Sequence, residues 1–174
     1  MEGVIWMELF DLYNEKREKS GLTHVRGEVI PEGYYHLVVH VWLRCADGRY
    51  LMSKRASTRP TYPLMWECVG GSVVAGEDSY EGAVREVFEE VGIDLSGRKG
   101  EVLFTKMRDL VNGVPFRDIM DVWLFDLREG EEFDLVRAST DEVAECRYMT
   151  RDEIFALYQN ASLVPTLEYI FAYI

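Results

Sequence analysis

Apolar and polar positions along the chain fall into short blocks that read as strands, broken most clearly at Asp78–Val91 by a helical period. His36-Leu37-Val38-Val39-His40-Val41-Trp42-Leu43 is β-branched and strongly apolar, which predicts a central strand. Ala46-Asp47-Gly48-Arg49 supplies a hairpin turn, and Tyr50–Lys54 returns as the partner strand. Pro60 to Pro63 reads as a loop, and Trp66–Val74 as strand and loop around Gly70-Gly71. Two further strands are expected around Glu101–Arg108 and Ile119–Leu127, joined by a turn at Asn112-Gly113. A strand near Glu145–Met149 precedes helices beginning at Thr150 and Pro165. Upstream, Trp6–Tyr13 alternates and Asn14–Gly21 is charged and turn-like, so residues 1–34 are read as an amino-terminal extension packed on the rest. No repeat, low-complexity tract or linker divides the chain, and the expectation is one domain over 1–174. Strands interleaved with a few helices predict an α+β fold, a mixed β-sheet flanked by helices.

The helix at Asp78–Val91 has both ends written into it. Asp78 with Glu81 forms a capping-box pattern, and Gly92 stands where a left-handed carboxy-terminal cap belongs. Val84, Val87, Phe88 and Val91 form a stripe expected to bury one face. Glu86, Glu89 and Glu90 crowd another side, opposite that stripe, and like charges at this spacing cost a few tenths of a kcal/mol per pair. Arg85 reaches Glu89 at i+4 and leaves the cluster short of positive charge. A solvated acidic face is the plain reading of such a helix. The approach to the helix changes it: Gly70-Gly71 permits close approach of backbone and ligand, and Glu77 can fold toward the same carboxylates. Oxygen donors converging from one helix and one glycine loop suit a hard cation, Mg2+ or Mn2+.

Composition narrows the partners. The 174 residues are 48% hydrophobic and carry a formal net charge of -12, which disfavours nucleic acid as a partner. A polyphosphate ligand stays compatible with that charge if cations mediate its binding. Cys45, Cys68 and Cys146 are unevenly spaced, form no C-x-x-C pair, and read as reduced thiols. No signal-peptide pattern opens the chain, and no apolar run approaches the ~20 residues that cross a bilayer, so the expectation is a cytoplasmic protein without a membrane partner.

Gly71, five residues, Glu77, seven residues, then Arg85-Glu86-Val87-Phe88-Glu89-Glu90-Val91-Gly92-Ile93 resembles a complete Nudix box. With Val87 and Ile93 in its aliphatic positions, a chance match is on the order of 10⁻⁸ per start position, too rare to explain the segment. The resemblance implies an α/β/α sandwich and a hydrolase that cleaves the diphosphate linkage of a nucleoside diphosphate derivative or a similar small diphosphate. It further implies that Glu86, Glu89 and Glu90 hold one to three divalent cations with the Gly70 carbonyl, and that Glu77 serves as outer-shell group or further ligand. Arg85 would orient the carboxylates. The general base would be Glu86, or a later loop glutamate for which Glu142 or Glu145 is placed. Coenzyme A and NADH signatures are missing outside the box, and no proline stands at the spacing of ADP-ribose enzymes.

Other residues carry weaker expectations. Arg55 and Arg59 are candidates for phosphate contact, with Arg55 and Gly71 taken as substrate-binding; Asp121 is a candidate metal-side acid. Trp66, Phe104, Phe116, Trp123 and Tyr148 could stack a base, although core packing is the ordinary role of such aromatics. His36 and His40, with His24 upstream, are read as packing residues rather than a shared metal site. The run His36-Leu37-Val38 and Trp42-Leu43, with Lys54-Arg55-Ala56 and Trp66, also resembles isopentenyl-diphosphate isomerases, which use a Nudix-like fold. Those enzymes need Cys and His around the glycine pair, where this chain reads Cys68-Val69-Gly70-Gly71-Ser72. A non-catalytic diphosphate-sensing module is a further alternative, but such modules lose box carboxylates that are all present here. The apolar tail Tyr169–Ile174 is read as core helix, with a homodimer face as its alternative.

Overall fold

A computed structural model describes residues 8–174 other than Asn112 and Ser139. The Trp6-Met7 start of the alternating segment and the Asn112 half of the expected turn lie outside those residues. In chain order the elements are β1 (Leu9–Tyr13), β2 (Lys19–Val25), β3 (His36–Arg44), β4 (Tyr50–Arg55), β5 (Trp66–Glu67), β6 (Val69–Ser72), α1 (Ser79–Val91), β7 (Glu101–Val111), β8 (Val114–Asp126), β9 (Val143–Met149) and α2 (Arg151–Gln159), followed by a 3-10 helix at Pro165–Ala172.

Strand β3 is the spine, as its apolar run requires. It pairs in parallel with β8 from His36↔Asp118 to Arg44↔Asp126, while β6 runs antiparallel along its other edge from Val41↔Val69 to Val38↔Ser72. The hairpin through Ala46–Arg49 leads to β4, which pairs with β5 and β9. The result is a seven-stranded mixed sheet, with β1 and β2 forming a separate hairpin. Period-two alternation splits β3 between two cores. Leu37, Val39, Val41 and Leu43 pack with Ala83, Val87 and Val91 of α1. Val38 and Trp42 pack on the other side with Ile154 of α2 and with Leu167 and Ile170. Helices cover both faces, the expected α+β sandwich.

Three local expectations change. Lys19–Gly21, read as turn, begins β2, because pairing with β1 overrides its polar composition. The segment from Pro165 winds as a 3-10 helix; within it Ile170 is buried, and Tyr169, Phe171 and Ile174 pack on the same core, matching the core reading of the tail. On α1, Val84 and Phe88 are only half-buried, while Ala83, Val87, Glu90 and Val91 are buried. At 100° per residue, Glu90 falls between Ala83 and Glu86 on the helix surface, so the acidic side and the buried side overlap. Both helix caps form as expected: Asp78 accepts from the Glu81 amide, Glu81 accepts from the Asp78 amide, and Gly92 is left-handed at φ 72°. Among the described residues, no helix is long and apolar enough to cross a membrane.

Candidate active site

Strand β6 and helix α1 meet face to face at Gly71 and Glu86. A Cβ at residue 71 would collide with the Glu86 carboxylate, so glycine here leaves room for that side chain in its present position. Arg85 sits beside the contact and organises it. Its Nε and Nη2 donate to the two carboxylate oxygens of Glu77 at 2.8 and 3.2 Å, and Nη2 also donates to the Ser72 carbonyl at 2.9 Å. Its Nη1 donates to Glu86 Oε1 at 2.9 Å and Glu89 Oε2 at 3.0 Å. Burial works against this guanidinium's charge, and the Glu77 hydrogen bond and the Glu86 carboxylate more than restore it. A lysine could not span four partners in this planar arrangement.

Behind Arg85 the carboxylates lie in progressively drier surroundings. Burial raises the Glu86 carboxyl to about 7 against the lowering effect of Arg85. Glu90 is buried and pushed well above the usual carboxylate range, first by burial and then by the charges of Glu67 and Glu86. Its Oε2 is buried without a hydrogen-bond partner among the described residues. A buried acceptor with nothing to accept costs about 1–3 kcal/mol. That cost, at the centre of a cluster of hard oxygen donors, is what a divalent cation would remove, and the donor set fits one. Among the described residues, no three His, Cys, Asp or Glu side chains already converge as a metal cluster. Arg85 draws Glu86 and Glu89 toward itself instead.

Glu86, Glu89 and Glu90 line a cavity of about 170 Å³ together with Gly70, Gly71 and Glu142. Glu77 lies outside that lining, held by Arg85 and by the Val74 amide at 3.3 Å. Through Gly70–Ser72 the cavity adjoins a larger one of about 560 Å³, walled by Val38, Val164 and Leu167 and by Phe116. Arg55 lines the larger cavity and donates to both oxygens of Glu67 at 2.6 and 2.8 Å; Arg59 pairs with Glu142 at the junction. Glu145 instead pairs with Arg147 and Lys54, away from both cavities. Asp121 is buried beneath α1, held by Arg17, Ser79 Oγ and Thr105 Oγ1, so its carboxylate is committed to structure.

Of the aromatic candidates, Phe116 alone lines either cavity. Trp66 is buried, Trp123 stacks on Phe125 and donates to Ser79, Phe104 stacks on Tyr173, and Tyr148 packs on Phe133. His36 stacks on Phe10, and His40 is half-buried against Gly70 with its Nδ1 2.8 Å from the Tyr169 hydroxyl. Cys68 is buried, which raises its thiol well above the ordinary value.

The NUDIX domain family matches residues 34–171. This chain belongs to the Nudix family. An uncharacterised Nudix hydrolase of Listeria monocytogenes is 35% identical over 162 residues, covering 91% of this chain and 89% of that protein. Nudix hydrolase 3 of Arabidopsis thaliana is 29% identical over 165 residues, 91% of this chain but 21% of the plant protein. A crystal structure from Deinococcus radiodurans superposes with a TM-score of 0.68 at 21% identity, over 90% of this chain and 92% of that one, and establishes the shared fold. The Nudix chain is accordingly a pyrophosphohydrolase, of a family that acts on nucleoside diphosphate derivatives and generally uses divalent metals.

Two features of the Nudix site escaped the sequence. Glu67, two residues beyond Met65 in a two-residue strand, lies close enough to Glu90 to raise that carboxyl, yet carries no motif. Arg26 and Glu8, from the hairpin ahead of the matched region, line the acidic cavity. Their composition is that of any exposed polar segment, and only tertiary packing brings them in.

Proposed function

We propose that this Nudix enzyme hydrolyses the diphosphate linkage of a nucleoside diphosphate derivative or a similar small diphosphate, with Mg2+ or Mn2+ held by Glu86, Glu89, Glu90 and the Gly70 carbonyl. The observation carrying this reading is the unpartnered, buried Glu90 Oε2 beside a half-buried Glu86 carboxylate at the Gly71 contact. A cation bound there supplies positive charge to the diphosphate oxygens and makes water easier to deprotonate. The chain's own groups do the rest. Arg85 fixes the rotamers of Glu86 and Glu89, and Glu77 fixes Arg85. Glu86, at the Gly71 contact on the wall of the acidic cavity, accepts the proton of the attacking water. Glu142, lining the same cavity and tied to Arg59, is the alternative acceptor. Gly71 presents backbone without a side chain to the phosphate, and Arg55 stands on the wall of the larger cavity that would receive the attached group.

Isomerase chemistry needs a reactive cysteine, and the buried, protonated Cys68 argues against it. A sensing role is disfavoured by the intact carboxylate set. Purified protein, screened with magnesium and with manganese against a panel of nucleoside diphosphate derivatives and small diphosphates, should release product that a coupled phosphatase converts to phosphate. No release from any member, or conversion of isopentenyl diphosphate to its allylic isomer in a Cys68-dependent manner, would overturn the proposal.

A further inference from the structure

The β1–β2 hairpin is fastened to the Nudix core at its tip, along its edge and through the paired Tyr13 and Tyr35 backbones, and its open end faces the site. At the tip, Arg17 makes a two-pronged pair with buried Asp121, which also holds Ser79 in the first turn of α1. Along its edge, the Leu9 carbonyl accepts from the Ala75 amide at 2.7 Å and Asp11 accepts from the Gly76 amide at 3.0 Å. These anchors fix the loop that joins Gly71 to α1. At the open end, the Arg26 amide donates to the Glu8 carbonyl at 2.9 Å, and the two side chains form an ion pair. Arg26 lines both cavities, at the junction formed by Gly70, Gly71 and Ser72.

The cations around this junction differ in how firmly they are held. Arg55 and Arg108 are each 11% exposed and bound to both oxygens of a carboxylate. Arg59 and Arg85 are each 23% exposed and paired with Glu142 and Glu86 of the acidic cavity. Arg26 is 53% exposed, and Glu8, with which it pairs, is 42% exposed. An ion pair so open to water contributes little and is easily exchanged. A diphosphate offers the same guanidinium a doubly charged partner with oxygens placed for bidentate contact.

We propose that Arg26, supplied by the amino-terminal hairpin, is a diphosphate-binding residue of this enzyme, and that Glu8 is the counter-ion it exchanges for the substrate. This rests on the diphosphate reading above. The guanidinium, near enough to Glu86 to act on its charge, brings positive charge to the acidic cavity, where α1 offers none besides the fully engaged Arg85. Glu8 holds the arginine at the junction when no substrate is present and competes with the substrate when it is.

Methylenediphosphonate, a diphosphate that cannot be hydrolysed, tests this by calorimetric titration in excess magnesium. Arg26→Gln should weaken binding by about tenfold, the loss of one charged hydrogen-bonding group. Glu8→Gln should tighten it by about threefold, because the competitor is removed. A merely structural pair would be broken equally by either substitution, and both variants would then shift affinity in the same direction. That result, or Arg26→Gln binding within twofold of the unsubstituted protein, overturns the proposal and leaves the hydrolase reading standing. No binding by the unsubstituted protein overturns both.

Discussion

Gly71 and the Glu86 carboxylate occupy touching positions, with no room for a single methyl group between them. The obstructing atoms belong to the end of a flexible side chain, so a methyl group there displaces Glu86 rather than the backbone. Gly71→Ala should therefore fold normally, with a thermal midpoint close to that of the unsubstituted protein, and lose about 100-fold in kcat, the cost of misplacing a reacting group by roughly 1 Å. Equal kcat in the two proteins would show that the position of Glu86 does not matter.

Asp121 makes a stability prediction independent of chemistry. Burial raises its carboxyl, but the hydrogen bonds from Arg17, Ser79 and Thr105 outweigh burial and hold it below its ordinary 3.8. Its folded value is the lower one, so its stabilisation is present above the unfolded value and is lost as pH falls through the folded value. Asp121→Asn should cost about 3 kcal/mol at pH 7 by urea unfolding, and the difference from the unsubstituted protein should shrink below pH 4. A pH-independent difference would remove the ion pair from the account.

His40 has the opposite chemistry and the same sign. Burial lowers its imidazole from 6.5 to about 3, while Nδ1 faces the Tyr169 hydroxyl. The unfolded chain takes up a proton below pH 6.5 that the folded chain refuses, so stability falls as pH falls, by about 1.4 kcal/mol per pH unit for this one site. The His40 ring should show no chemical-shift titration between pH 8 and pH 5 by NMR. A midpoint near 6.5 would mean that the ring is exposed to water.

The sequence carried the Nudix helix almost completely, because its caps and charges are local: Asp78 with Glu81 and Gly92 act within a turn of where they stand. It also carried β3, whose unbroken apolar run admits few alternatives. What it could not carry was the direction of the carboxylates. The stripe of Val84, Val87, Phe88 and Val91 puts Glu90 on the opposite side, whereas Ala83 and Gly82, too small to register as apolar signal, join Val87 and Val91 on a buried face that includes Glu90. The hairpin was illegible for a different reason. Arg17 and Asp121 are 104 residues apart, and nothing in either neighbourhood announces the pair. Without those partners in view, an acid on an apolar strand reads as a candidate metal-side group, and the three donors around Asp121 explain it instead.

Glu86→Gln is nearly isosteric and keeps a hydrogen-bonding group beside Arg85, so the fold and the thermal midpoint should persist. With a substrate that the unsubstituted protein cleaves in magnesium, single-turnover rates of the two proteins test the central claim most directly. The account predicts a loss of at least about 1000-fold, from removing both a cation ligand and the proton acceptor. Turnover within tenfold of the unsubstituted rate would contradict it.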